Sequence, residues 1–284
     1  MKAGIASFEG KVKKFIYDGN NFFDASDRKE DTIELLNLKD NGGMDRLGDP
    51  EFFMPPLDSP GQIRDFYAFE EHAKNSRKTR GLEMLKEWYE IPVYYYTSNS
   101  SLYGSKMDVP YPSFTRRMDL EVELGFIIGK NGRNIRKEDA LEFIAGVTIM
   151  NDWSARDIWI TESKLNLGPS KSKDFATSMG PYITPIEEIM NFYDGKSFNI
   201  RVRSYINGQP FSDSNLNQIY WSIAELISHA SMESNLRRGD VIMTGTFPGG
   251  CKFERNNGDQ DWIKKGDLVR IESESIGVLE NRVI

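Results

Sequence analysis

Cysteine is almost missing from this 284-residue chain, with Cys251 the single example. One thiol excludes an intramolecular disulfide and any cysteine-cluster zinc site, and it suits a reducing compartment. Histidine is nearly as scarce, so imidazole chemistry falls to His72 or His229. A basic excess is lacking as well: 36 Lys and Arg stand against 43 Asp and Glu, for a net charge of −7. That balance argues against a nucleic-acid binder, which needs a basic face. No apolar run approaches the ~20 residues of a membrane span. The opening "MKAGIASFEGKVKKF" has no apolar signal-peptide core. The expectation is a cytoplasmic protein whose partner is a small molecule, with no nucleic acid and no membrane. There is also no G-x-S-x-G elbow, Walker loop, Rossmann glycine fingerprint or H-E-x-x-H.

What the chain does have is carboxylates in patterned places. In "MDLEVELGFIIG", residues 118–129, Leu120, Val122, Leu124, Phe126 and Ile128 alternate with Glu121 and Glu123, as on a strand with one apolar face. The two glutamates then share the other face, roughly 7 Å apart. They are either the wet side of an ordinary strand or part of a metal site. Asp152 follows the short apolar strand "AGVTIM", where side chains commonly line a pocket. "NDWSARD" also holds Arg156 and Asp157, which fit a local Arg–carboxylate brace. Residues 64–92 read as mostly helical, with Phe66, Phe69 and Ala73 as an apolar stripe. On that helix Asp65 and His72, seven apart, project within ~20° of each other. All-oxygen ligands with few nitrogens suit a hard cation: Mg²⁺, Ca²⁺ or Mn²⁺. Taken singly, His72 and His229 fit structural roles, and Lys171 and Lys173 fit solvated lysines. Thr244 and Thr246 equally fit turn chemistry.

Elsewhere the pattern is mainly β. Residues 4–24 suggest a hairpin, and Asn207-Gly208 marks another in "SFNIRVRSYINGQPF". "NQIYWSIAELISHASM" reads as an amphipathic helix. The Pro and Gly residues of "MPPLDSPGQ" place a boundary between a small N-terminal module, 1–60, and a larger unit, 61–284.

Residues "DFYAFEEHA", "DLEVELGFIIGK", "TIMNDWSARD", "KSKDFATSMGPYI", "YINGQ", "GDVIMTGT" and "IGVLENRV", in that order, resemble the fumarylacetoacetate hydrolase family. The resemblance implies a mainly β (α+β) fold: a mixed, barrel-like β-sheet roll with short peripheral helices, working as a homodimer. It implies that Asp65, Glu121, Glu123 and Asp152 bind a divalent cation, Mg²⁺ or else Ca²⁺ or Mn²⁺. It makes His72 the base that activates water, Glu254 its orienting carboxylate and Lys173 the group facing a substrate oxyanion. Tyr95, Thr246 and Arg80 become substrate contacts. Trp159 and Ser163 stand where family members that cleave fumarylacetoacetate carry a glutamine and a tyrosine, so the pocket departs from theirs.

The implied activity is hydrolysis of a carbon–carbon bond in a 1,3-diketo acid, fumarylacetoacetate- or acylpyruvate-like, in aromatic-compound catabolism. The alternatives are a metal-dependent decarboxylase, isomerase, hydratase or dehydratase acting on a related 2-oxo acid of aromatic or sugar-acid catabolism. A metal-binding protein without chemistry is a third possibility, and it needs neither a base nor a lysine.

Overall fold

The computed structural model describes residues 1–255 and 261–284. It is mostly β, with short helices at the margins. Among the described residues a twelve-stranded mixed sheet carries the site. Its path runs from the N-terminal hairpin, Lys2–Phe8 and Lys11–Tyr17, through Thr177–Pro185, Ile144–Asp152, Val122–Ile128, Val241–Met243 and Ile63–Phe66 to Tyr94–Thr97 at the edge. The strands before residue 61 join through the antiparallel pair Ala3↔Ile183. A second, four-stranded antiparallel sheet holds the Asn207-Gly208 hairpin and the two C-terminal strands, Leu268–Ser273 and Gly277–Arg282.

The alternation in residues 118–129 is kept, but both faces are dry. Leu120, Val122, Leu124, Phe126 and Ile128 are fully buried in the main core. Ile127, on the opposite face, packs in a second cluster with Ile63, Met150, Met179, Val241 and Met243. A strand covered on both faces has no wet side, so any carboxylate on it must find partners inside the protein.

The expected helix over 64–92 is corrected. Ile63–Phe66 is a strand, parallel to Val241–Met243 and antiparallel to Tyr94–Thr97, and the helix is only Glu70–Thr79. A turn of 3-10 helix at Lys86–Tyr89 is separate. Phe66, Phe69 and Ala73 do share one core, but a strand end and a helix start place them there, not one helical stripe. Short apolar runs fit either periodicity, and pairing on both edges decides this one. The amphipathic helix is Ile223–Ser231, capped by Ser222 and Glu225 in a capping box.

Phe126 is fully buried, with its ring 6.0 Å from that of Phe198. Phe126→Ala should cost about 3–5 kcal/mol in urea unfolding. A loss below about 1 kcal/mol would mean this strand is not the packed centre.

Candidate active site

Three strands deliver the carboxylates. Residue 65 lies opposite Met243 on one side and Tyr95 on the other. Residue 123 lies opposite Met150, and Glu121 is tied to the same neighbour, its N–H donating to Asn151 Oδ1 at 2.9 Å. Asp152 ends that neighbouring strand, and its N–H donates to Glu121 O at 3.2 Å. One carboxylate oxygen from each of Asp65, Glu121 and Glu123 then lies within 4.8 Å of the others, all three side chains buried. Asp152 stands beside this group and is joined to it through shared partners.

Those partners are few and positive or proton-bearing. The Lys173 ammonium, 3% exposed, bonds Glu121 and reaches Asp152 Oδ2 at 2.7 Å. Tyr95 Oη lies 2.7 Å from Asp65 Oδ2 and 2.5 Å from Asp152 Oδ2. One phenol carries one proton, so one of these two contacts needs a proton from a carboxyl group. Burial, then repulsion from neighbouring carboxylates, pushes Asp65 and Glu123 well above the ordinary carboxylate range. Burial acts the same way on Glu121, but Lys173 and Arg156 outweigh it and hold Glu121 down at about 2. Glu123 accepts the Gly245 N–H at 3.1 Å and a longer bond from Thr246 Oγ1 at 3.4 Å. Gly245 has φ +80°, and a Cβ there would sit 2.2 Å from Phe66 O, so this close approach requires glycine.

His72, on the Glu70–Thr79 helix, faces the same cavity of about 280 Å³. Its Nδ1 lies 2.6 Å from Glu254 Oε1. Asn75 Nδ2 and the Gly249 N–H donate to Glu254 Oε2 at 3.1 and 3.0 Å. Burial tends to raise Glu254, but His72 and these hydrogen bonds leave it below the ordinary carboxylate value. Arg80 lines the cavity with its guanidinium 4.9 Å from the Trp159 ring centre, and its buried Nε has no partner among the described residues. The structure therefore gathers Asp65, Glu121, Glu123, Asp152, His72, Glu254, Lys173, Tyr95, Thr246 and Arg80. It leaves Lys171 exposed on Asp174 and places His229 on the Ile223–Ser231 helix, against Tyr94.

One contributor went unread and another was read differently. Asp119 is fully buried and takes four hydrogen bonds: the N–H groups of Leu120, Lys252 and Phe253, and Arg156 Nε at 2.8 Å. It thus anchors the turn that carries Glu254. The signal was present, because Asp119 has the same strand parity as Glu121 and Glu123. Arg156 corrects the local-brace expectation: it bridges Asp119 and Glu121 Oε1, the latter at 2.7 Å, while Asp157 binds Thr115 and the Arg116 N–H.

Residues 62–284 match the family described as Fumarylacetoacetate (FAA) hydrolase C-terminal. The chain belongs to the fumarylacetoacetate hydrolase family. A mitochondrial oxaloacetate tautomerase of Xenopus laevis is 32% identical over 193 residues, which are 68% of this chain and 58% of that protein. The chain thus spans a little over half the length of this curated relative. A fumarylacetoacetate hydrolase from psychrophilic Exiguobacterium antarcticum shares the fold, with TM-score 0.79 at 24% identity, over 100% of this chain and 99% of that one. A fumarylpyruvate hydrolase from Pseudomonas aeruginosa, solved with Mn²⁺ and pyruvate, has TM-score 0.66 at 22% identity, over 86% and 93% of the two chains.

A hard divalent cation fits these family residues. The donors are carboxylate oxygens, and Asp65 Oδ1 is buried with no partner among the described residues. Without a cation, Asp65 and Glu123 hold protons in the folded state at pH values where the unfolded chain has lost them. Their contribution to stability therefore falls as pH rises above the ordinary carboxylate range. A bound cation would replace those protons. The gain in Tm from saturating Mg²⁺ should grow as pH is raised from about 5 to 8, with ordinary carboxylates titrating near 4. Glu123→Ala should abolish the gain and leave a folded chain. A gain independent of pH, or undiminished in Glu123→Ala, would contradict this.

Proposed function

We propose that this protein hydrolyses a carbon–carbon bond in a 1,3-diketo acid, using Mg²⁺ or Mn²⁺ held by Asp65, Glu121, Glu123 and Asp152. The observation that carries this reading is the His72 Nδ1 to Glu254 Oε1 contact of 2.6 Å in the wall of the carboxylate-lined cavity. When bound, the cation supplies Lewis acidity to the oxygens of a 2-oxo acid.

The chain's own residues account for the proton transfers. Glu254 accepts a hydrogen bond from Nδ1–H, which makes Nε2 the basic nitrogen. Nε2 takes a proton from water, and the water oxygen bonds to the substrate carbonyl carbon. When the carbon–carbon bond breaks, its electron pair stays on the leaving carbon as an enolate, which recovers the proton from His72. The products are a carboxylic acid and a shorter oxo acid, a 2-oxo acid when the substrate is an acylpyruvate. Glu254 stabilises the transient imidazolium. Lys173 provides positive charge where the substrate oxygen becomes negative. Arg80, with its guanidinium over the Trp159 ring, offers that group to a substrate carboxylate. Tyr95 and Thr246 complete the pocket wall.

A second reading is keto–enol tautomerisation of a 2-oxo acid, supported by the Xenopus relative's activity. It uses His72 as acid and base in turn, and consumes no water. Fumarylacetoacetate, acylpyruvates and oxaloacetate incubated in ¹⁸O-water separate the two: hydrolysis puts ¹⁸O in a released acid and yields two fragments. Tautomer exchange without fragments would overturn the hydrolase. His72→Gln should lose roughly 10²–10⁴-fold in kcat. It should hold its cation as tightly as the wild type, and Glu254→Gln should lose less. Wild-type turnover in His72→Gln would remove the water-activating role.

A further inference from the structure

The thiol of Cys251 belongs to no step above, yet it lies beside the base. Its Sγ is 3.7 Å from Glu254 Oε1, the oxygen that faces His72 Nδ1. One donor atom from each of His72, Cys251 and Glu254 lies within 4.8 Å of the others. The set is nitrogen, sulfur and oxygen, whereas the neighbouring carboxylate group is oxygen alone. Ligand softness separates the two: carboxylates suit Mg²⁺ or Mn²⁺, while thiolate with imidazole suits Zn²⁺ and Co²⁺.

The spacing is close to what a tetrahedral ion needs. With bonds of ~2.0–2.3 Å, donors around such an ion sit roughly 3.3–3.7 Å apart. The sulfur–oxygen separation of 3.7 Å already matches. The nitrogen–oxygen separation of 2.6 Å is that of a shared proton, and it must open when an ion takes the proton's place. Of the three residues His72 lines the cavity, while Cys251 is fully buried behind it. Zinc sites with three protein ligands complete their tetrahedron with water.

We propose that His72, Cys251 and Glu254 form a second cation site, selective for Zn²⁺ or Co²⁺ over Mg²⁺. Binding there releases the thiol proton and the imidazole Nδ1 proton. It also ties up the imidazole and its carboxylate, so the ion switches off the base without displacing the hard cation. Only this inhibitory consequence rests on the proposed function. The binding itself does not.

The test uses the full chain saturated with Mg²⁺ and titrated with Co²⁺. Because Cys251 is the sole cysteine, a thiolate-to-Co²⁺ charge-transfer band in the near ultraviolet can come only from this site. The expected result is such a band, saturating at one Co²⁺ per chain and bleached by Zn²⁺. Cys251→Ser should remove the band. It should weaken Zn²⁺ binding by at least the roughly 10–100-fold that loss of even an outer-shell partner costs a metal site. Co²⁺ bound with no thiolate band in the wild type would overturn the proposal, whether or not the protein turns over any diketo acid. Unchanged Zn²⁺ affinity in Cys251→Ser would do the same. With turnover in hand, Zn²⁺ should inhibit in a way that added Mg²⁺ does not relieve, and relief by Mg²⁺ would place Zn²⁺ on the carboxylates instead.

Discussion

The gathering of Asp65, Glu121, Glu123 and Asp152 inside the protein is the constraint on which the rest of the site depends. Like charges this close, out of water, repel strongly, and only a few compensating groups face them. Lys173 and Arg156 share Glu121, and Lys173 also serves Asp152. Tyr95 stretches one phenol over two carboxylates. Asp65 and Glu123 are left short of positive charge, and burial together with the neighbouring carboxylates pushes both well above the ordinary carboxylate range, a deficit that a divalent cation would answer.

The fold keeps such a group together because the backbone does the positioning. The strands that carry Asp65, Glu123 and Asp152 each pair with neighbours on both sides in the large sheet, so their backbones cannot spread to relieve the repulsion. His72 and Glu254 are held by a different device. The Glu70–Thr79 helix brings His72 to the cavity, and the turn around Glu254 is fastened by the Lys252 and Phe253 amides to Asp119. Asp119 also binds Arg156, which reaches back to Glu121. The carboxylate group and the turn that carries Glu254 are thus tied through one buried carboxylate, Asp119, and one guanidinium, Arg156.

Much of this was legible in the sequence, unevenly. The period-two pattern of residues 118–129 marked the strand and put Glu121 and Glu123 on one face. It could not say that this face is dry, since burial there comes from Ile63, Val241 and Met179, far away in the chain. Asp65 was misplaced on a helix because four residues of strand running into a turn imitate a helical stripe. Pairing with Val241–Met243, long-range contact by nature, resolves it. Arg156 was expected to brace a neighbour and instead reaches 35 and 37 residues back to Glu121 and Asp119. Glu254 carries no local signal, and the family resemblance alone pointed to it.

The central claim is that the buried carboxylates are arranged for one divalent cation. The most direct measurement is a crystal structure of the protein grown with Mn²⁺, with anomalous scattering recorded. The account predicts a single strong peak among Asp65, Glu121, Glu123 and Asp152, within about 2.0–2.3 Å of their oxygens, the range for Mn²⁺ between Mg²⁺ and Ca²⁺. Well-ordered carboxylates bound only to Lys173, Arg156 and Tyr95, with no anomalous peak among them at saturating Mn²⁺, would contradict it.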